Sequence, residues 1–427
     1  MVGEHAELRA LSATDVARAV GRGDLDPVAV VTAHVAGLEG LQEFNAIITP
    51  CAERALERAR SGLSGPLAGV PVIVKDLFDT AEVRTTYGSS IYRDHVPLRT
   101  ARAVGSLEAA GAVVIAKANL HEFAWGTTSQ NPHWGYVGNP RLPGRVAGGS
   151  SGGNAAALAA GIGLLGLGTD TAGSVRIPSA CCRTVGFKPT HGAVSMEGCR
   201  PLSPSFDVPG PMARTVADCA LAYSVLSGEP LAPPRLQGLT IGVLQEPPPM
   251  AAHDPGRPAA SGHEADISVR LQELEALGAR LTTAQIEPPR AEILPLMLAE
   301  AAAGHADTFP SRRQEYGEDT RMKWGAAAAV PADAVQAART ELPRWRKAAS
   351  EATQLDLFVS PTLAGEVPAL DVWEPDVRVA MVGYTRTFSF LGWPAIAIGN
   401  VQLAGRDATT VLGAALAWEA EYGVADY

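Results

Sequence analysis

A chain of 427 residues that is 46% hydrophobic and only 19% charged has ample apolar side chain for a large core, which excludes a disordered protein. Its formal charge of −10 repels phosphate backbones and sets nucleic-acid binding aside. Five cysteines (Cys51, Cys181, Cys182, Cys199 and Cys219), odd in number and without C-x-x-C spacing, exclude a disulfide framework and fit buried thiols in a reducing compartment.

The segment Met1 to Glu7 has neither a basic region nor an apolar core, so no signal peptide is expected there and the chain reads as cytoplasmic. Residues 7–60 read as helices, with Ser12 to Asp15 offering N-caps and Ala52, Leu56 and Ala59 keeping a helical spacing. Val72-Ile73-Val74 has the β-branched character of a buried strand ending at Lys75. Ala101 to Gly111 follows as a helix, then Ala112 to Ala116 as a second buried strand. Gly126 to Gly153 dissolves into Gly, Pro, Asn and Ser, and irregular segments of that length are usually functional. Ala155 to Gly168, the longest apolar run, carries four glycines, is too short to cross a bilayer, and reads as a buried helix leading into a strand. Thr169 to Pro178 is again irregular, Val185-Gly186-Phe187 is a strand, and Asp207 to Cys219 leads into a helix.

A Pro-rich connector at 231–235 marks either a domain boundary or a surface link within one sheet. Beyond it come a strand at 239–243, a mobile loop at about 246–262, helices at 264–278, 291–304 and 331–352, strands at 357–359 and 395–398, and a closing helix at 408–420. In the 264–278 helix, Ile267, Leu271, Leu274 and Leu277 share one face. This order predicts an α/β fold: one large domain over 1–427, with N-terminal helices at 7–60, a core at 65–225 and a C-terminal part at 356–420 of the same sheet. That sheet is expected to be central, mixed, mostly buried and covered by helices on both faces.

Several chemistries fail on sequence. There is no G-x-x-x-x-G-K-[ST] and no H-E-x-x-H, and no lysine has a serine three residues before it. The histidines lack metal-ligand spacing, and His121, Glu122 and His133 read as loop or core residues. Gly148-Gly149-Ser150-Ser151-Gly152 matches the G-x-S-x-G nucleophile elbow, but the preceding Asn139 to Arg145, with two prolines, cannot be the strand that an elbow requires. What remains is a pair of Ser-Gly loops, Gly148 to Gly153 and Gly168 to Arg176, together with a lysine closing an apolar strand. Glycines let backbone N–H groups converge on one point, so a serine there has either oxyanion donors or a plain anion-binding turn beside it. Only five of the 35 basic residues are lysines (Lys75, Lys117, Lys188, Lys323 and Lys347), so each is conspicuous. At a buried strand end, the Lys75 ammonium is either desolvated towards a neutral base or paired with Asp76 or Asp79.

At these residues the chain resembles the amidase signature family. The resemblance is carried by Gly69-Val70-Pro71-Val72-Ile73-Val74-Lys75-Asp76, Gly148 to Gly153, Gly168 to Arg176, Gly186-Phe187-Lys188-Pro189-Thr190 and Phe388 to Ala395, with Ser150 and Ser174 separated by 24 residues. It implies a Ser–cis-Ser–Lys triad in which Ser174 is the nucleophile, Ser150 the relay and Lys75 the base. The N–H groups of Thr171, Ala172, Gly173 and Ser174 are implied as the oxyanion hole. Asp170 and Arg176 are implied to hold the loop, and Ser151 to orient Ser150 or Lys75. Ala124 falls where relatives line the pocket, with Phe123, Trp125, Asn131 and Trp134 on the loop nearby.

The implied activity is hydrolysis of a non-peptide carboxylic amide, with a carbamate or ester as alternative substrate and the glutaminase-type subunit of a tRNA amidotransferase as a different reading. The length, the charge of −10 and the shortened C-terminal region weigh against that last reading. No metal or organic cofactor is implied. The expected partner is a small-molecule substrate, with no nucleic acid and no membrane, and the protein is expected as a monomer or homodimer. Two departures from the family pattern stand out. Ala172 replaces a glycine and is expected to narrow the acyl pocket. Gly399-Asn400 replaces a longer loop, which is expected to open the pocket rim.

Overall fold

The structure, a computed structural model, describes residues 2–248 and 267–424, so most of the expected 246–262 loop lies outside the described residues. Thirteen strands are present among them: β1 (Ile47–Pro50), β2 (Pro71–Lys75), β3 (Val113–Ala118), β4 (Gln130–Asn131), β5 (Gly135–Tyr136), β6 (Leu165–Asp170), β7 (Val185–Lys188), β8 (Val208–Ala213), β9 (Thr240–Val243), β10 (Arg280–Thr283), β11 (Leu357–Pro361), β12 (Ala395–Ile398) and β13 (Val401–Gly405). Eleven of them form one mixed sheet in the order β1-β3-β2-β6-β8-β7-β12-β13-β11-β9-β10, and β4 and β5 form a small hairpin.

Away from its edge strands the sheet is buried on both faces, as its continuous apolar strands require. Side chains alternate across a strand, so in β2 Val72 and Val74 enter one core while Ile73 enters the other; in β3 Val114 and Val113 part in the same way. The first core packs the helices Arg102–Ala109, Val216–Ser227 and Ala408–Tyr422, and the second packs Pro27–Ala36, Ala52–Arg60 and Gly152–Ala159. Each such Val, Ile or Leu contributes about 1.5–3 kcal/mol of burial. One sheet crosses the 231–235 connector, which therefore links two parts of a single sheet rather than two domains.

The structure corrects the element reading in several places. Residues 7–60 are not all helical, since β1 pairs with the edge of β3. The segment expected to be irregular after Thr169 closes with the helix Arg176–Cys182. A strand, β8, fills Val208–Ala213 between β6 and β7. Its Pro209 and Pro211 make the sequence look unlike a central strand, because proline has no N–H for the ladder. β10 and the helix Glu318–Ala328 are further elements beyond those expected from the sequence.

The expected open pocket rim fails on register. Gly399-Asn400 is a two-residue turn between β12 and β13, and Ile398 lies opposite Val185, itself opposite Ala213, which faces Leu165. The turn is therefore level with the start of β6, about 16 Å along the sheet from Asp170 at its other end.

Candidate active site

β3, β2 and β6 run parallel side by side, and the segments leaving their carboxyl ends carry the candidate residues. Ligand sites in such sheets lie beyond the carboxyl ends of the strands. Lys75 closes β2, Thr169 and Asp170 close β6, and the loop starting at Asn119 leaves β3. The helix Gly152–Ala159, which follows Ser150, is tied to the sheet where Asn154 Nδ2 donates to Ile73 C=O at 2.8 Å.

Lys75 is fully buried and donates through Nζ to Ser150 Oγ at 2.7 Å and to Thr169 Oγ1 at 2.8 Å. Neither Asp76 nor Asp79 takes it. Asp76 is occupied by Thr86 and by the Lys117 ammonium at 3.2 Å, and Asp79 accepts the Tyr87 hydroxyl. Desolvation lowers the Lys75 pKa to about 7, against the smaller opposing influence of Cys199, Asp207 and Asp170. A lysine whose hydrogen bonds go to hydroxyls, and which is half-neutral near pH 7, is suited to accept a proton from one of them. Thr169 is a contact that the sequence did not reveal. Its only signal was its place in the loop beside Asp170.

Ser150 is buried and follows a cis peptide bond from Gly149. Its carbonyl accepts the N–H of His121 at 3.1 Å and the hydroxyl of Ser129 at 3.2 Å. Gly149 is obligatory by contact, since a Cβ there would sit 2.8 Å from Ser129 N and 2.9 Å from Thr128 N. Ser174 is 9% exposed, and its backbone is joined to the Ser150 segment by the Ser151 N–H, which donates to Ser174 C=O at 3.2 Å. Ser151 therefore differs from its expected role. Its hydroxyl donates to Thr169 C=O at 3.4 Å, so it ties the end of β6 to the Ser174 turn rather than orienting the Ser150 hydroxyl or Lys75.

The turn before Ser174 is shaped by Asp170. Its Oδ1 accepts the Gly173 N–H at 2.8 Å and its Oδ2 the Val175 N–H at 3.3 Å, while Arg176 binds both oxygens at 2.9 and 3.0 Å. Burial, the largest single influence, would raise the Asp170 pKa, but the Arg176 guanidinium, Lys188 and the Val175 N–H together hold the carboxyl below its ordinary value. Arg176 is fully buried and also donates to Thr385 C=O, Gln402 Oε1 and Ser389 Oγ. One expected oxyanion donor is thereby corrected: the Gly173 N–H is already committed to Asp170. The N–H groups of Thr171, Ala172 and Ser174 donate to no described residue. The Ala172 carbonyl accepts Thr385 Oγ1 at 2.6 Å, and Thr171 Oγ1 donates to Asp207 at 2.6 Å. Burial pushes the Asp207 carboxyl up to about 7.

The expected substrate contacts divide. Asn131 is a loop clamp, donating to Gly88 C=O and Leu120 C=O and accepting the N–H groups of His133 and Trp134. That saturated amide has nothing left for a ligand. Trp134 is flanked by the guanidinium groups of Arg84 and Arg93, 5.2 and 4.9 Å from its ring, and so packs the loop. Phe123, Ala124 and Trp125 are buried on the turn beside Ser150: Ala124 N–H bonds to His121 C=O, and His121 N–H bonds to Ser150. Phe123 packs on His305 and Tyr316, and Trp125 on Trp324. His121 and His133 are bound to carboxylates, Asp319 and Glu122 respectively, both at 2.8 Å.

All five cysteines are buried free thiols, and four of the five lysines (Lys75, Lys117, Lys188 and Lys323) are buried as well. No helix among the described residues is long and apolar enough to cross a membrane.

A family model described as Amidase matches residues 29–415. The chain is 42% identical over 227 residues to a glutamyl-tRNA(Gln) amidotransferase subunit of Streptomyces avermitilis, a match over 51% of this chain and 45% of that one. The chain spans about half the length of the curated relatives it matches. Among solved structures, a crystal structure of an amidase superposes with a TM-score of 0.83 at 29% identity, over 96% of this chain and 99% of that one. 6-Aminohexanoate cyclic dimer hydrolase superposes with a TM-score of 0.85 at 26% identity, over 98% of each chain.

Proposed function

The chain belongs to the amidase family, and on that premise we propose that it hydrolyses a non-peptide carboxylic amide through an acyl-enzyme on Ser174. The observation that carries this reading is the fully buried Lys75 Nζ, 2.7 Å from Ser150 Oγ and bonded to no carboxylate. Neutral Lys75 takes the Ser150 proton as Ser150 takes that of Ser174, and Ser174 Oγ bonds to the substrate carbonyl carbon. The N–H groups of Thr171, Ala172 and Ser174 receive the developing oxyanion, each worth about 3–4 kcal/mol in comparable sites. Ser150 returns its proton to the departing nitrogen, the C–N bond breaks, and Lys75 gives its proton back to Ser150. Water then enters by the same relay, releases the acid and restores Ser174.

The same relay accepts a carbamate or ester, because each passes through a tetrahedral oxyanion. A second reading, hydrolysis of the glutamine side-chain amide within an amidotransferase, is favoured by the 42% identity to a glutamyl-tRNA(Gln) amidotransferase subunit.

The test gives the purified protein and its Ser174→Ala variant an aryl amide, the matching aryl carbamate and free glutamine, and follows aniline and ammonia. Faster aniline from the amide, lost in the variant, is the expected result. A faster carbamate makes the protein a urethanase. Ammonia from glutamine with neither aryl substrate cleaved would replace the proposed reading by the amidotransferase one.

A further inference from the structure

The loop 121–129 grips the Ser150 peptide from both of its ends, through the His121 N–H and the Ser129 hydroxyl. Ser129 Oγ also accepts the Gly152 N–H at 3.1 Å, and Thr127 to Ser129 pack directly on Gly149. The loop's own backbone is unfavourable. Phe123, Ala124 and Ser129 have φ of 51°, 62° and 58°, left-handed values that L side chains adopt reluctantly. Something outside the loop must hold it.

That support is a buried charge cluster brought by two helices nearly two hundred residues or more further along the chain, Glu318–Ala328 and Glu374–Val382. Lys323 Nζ donates to Trp125 C=O at 2.6 Å and pairs with Asp319 at 2.7 Å and Glu374 at 2.9 Å. Glu374 Oε1 accepts both the N–H and the hydroxyl of Thr127 at 3.0 Å, and Asp319 holds the His121 ring. Arg378 closes the cluster on Glu374 at 2.8 Å and on Asp319 at 3.6 Å. The loop is thus tied at residues 121, 125 and 127, on either side of the strained Phe123 and Ala124 and next to the residues that pack on Gly149.

We propose that Lys323 and Glu374 are positioning residues that set Ser150 between Lys75 and Ser174 through this loop. The inference rests on the catalytic reading given under Proposed function. Buried ion clusters contribute little net stability compared with apolar packing, and in some proteins they instead fix one arrangement among several, the use that the strained loop requires.

The test measures kcat, KM and the folded fraction at the assay temperature on the aryl substrate that the wild type cleaves. The variants are the charge-balanced Lys323→Met/Glu374→Gln pair and, as the milder change, Thr127→Val, which removes one hydroxyl bond and no charge. The expected result is a kcat about 10- to 100-fold lower in the double variant and about 3- to 10-fold lower in Thr127→Val. KM should stay within about 3-fold, with full folding by circular dichroism. Wild-type kcat in a folded double variant, or in Thr127→Val if the double variant does not fold, overturns the proposal. So does a loss of kcat that only tracks a loss of folded protein. Ser174→Ala is run alongside: inactivity there with a normal double variant fails the positioning role alone, while normal activity in Ser174→Ala fails the catalytic reading beneath it.

Discussion

Thr169 Oγ1 stands 2.8 Å from Lys75 Nζ and is the second of the two hydroxyls on which the buried ammonium rests. An acceptor favours the charged form of its donor, and desolvation already brings the Lys75 pKa to about 7. In Thr169→Val the pKa should fall further, and the acid limb of the pH–rate profile should move to lower pH. The plateau kcat should drop about 10-fold as Lys75 loses its alignment. A profile unchanged in position would show that Thr169 does not face the base.

Activity itself should rise with pH through a midpoint near 7. Lys75 accepts a proton only when neutral, its pKa is depressed, and protonation below about 7 removes the acceptor. Asp207, raised to about 7, lies near enough to influence Lys75, so the apparent midpoint belongs to both groups. The pH dependence of kcat/KM from pH 5 to 9, which reports the free enzyme, checks this, and a flat profile contradicts it.

Alanine at the three proposed catalytic positions should separate their roles. Ser174→Ala should lose about 10⁶-fold in kcat, as nucleophile removal does in a serine protease. Lys75→Ala and Ser150→Ala should lose at least about 10²- to 10⁴-fold, the range of general-base catalysis. Circular dichroism should show all three folded, and retained activity in Lys75→Ala at neutral pH would remove the base from the scheme.

Gly173→Ala should be far more damaging than its one carbon suggests. Gly173 has φ of +136°, and a Cβ there would lie 2.3 Å from Thr385 Oγ1, the hydroxyl that holds the Ala172 carbonyl. The turn would have to open, displacing the N–H groups on either side of it. Thermal unfolding should show a loss of at least about 1–3 kcal/mol, together with loss of turnover. Wild-type stability and rate would mean that the turn is not held as described.

Much of the candidate site is readable in the sequence because its parts are local. A lysine ending Val72-Ile73-Val74 and serines among glycines are features of a few neighbouring residues, and the structure places them at the carboxyl ends of adjacent strands. Contacts assembled across the sheet leave no such mark. The Asp170 bond to Gly173 N–H, the Thr169 bond to Lys75 and the Lys323–Glu374 cluster depend on side chains finding partners that no spacing encodes. β8 is hidden by Pro209 and Pro211, whose local preference is overridden by its place between β6 and β7. The Gly399-Asn400 turn, expected at the pocket rim, is carried by the register to the far end of the sheet. Only strand order could have shown that.

Intact-mass spectrometry during turnover of a slowly deacylating aryl carbamate or ester would detect the acyl-enzyme itself. One added acyl mass is expected on the wild type, mapped by peptide sequencing to Ser174, with none on Ser174→Ala and a much slower appearance on Lys75→Ala. An adduct that persists on Ser174→Ala, or that maps to Ser150 in the wild type, would contradict nucleophilic attack by Ser174.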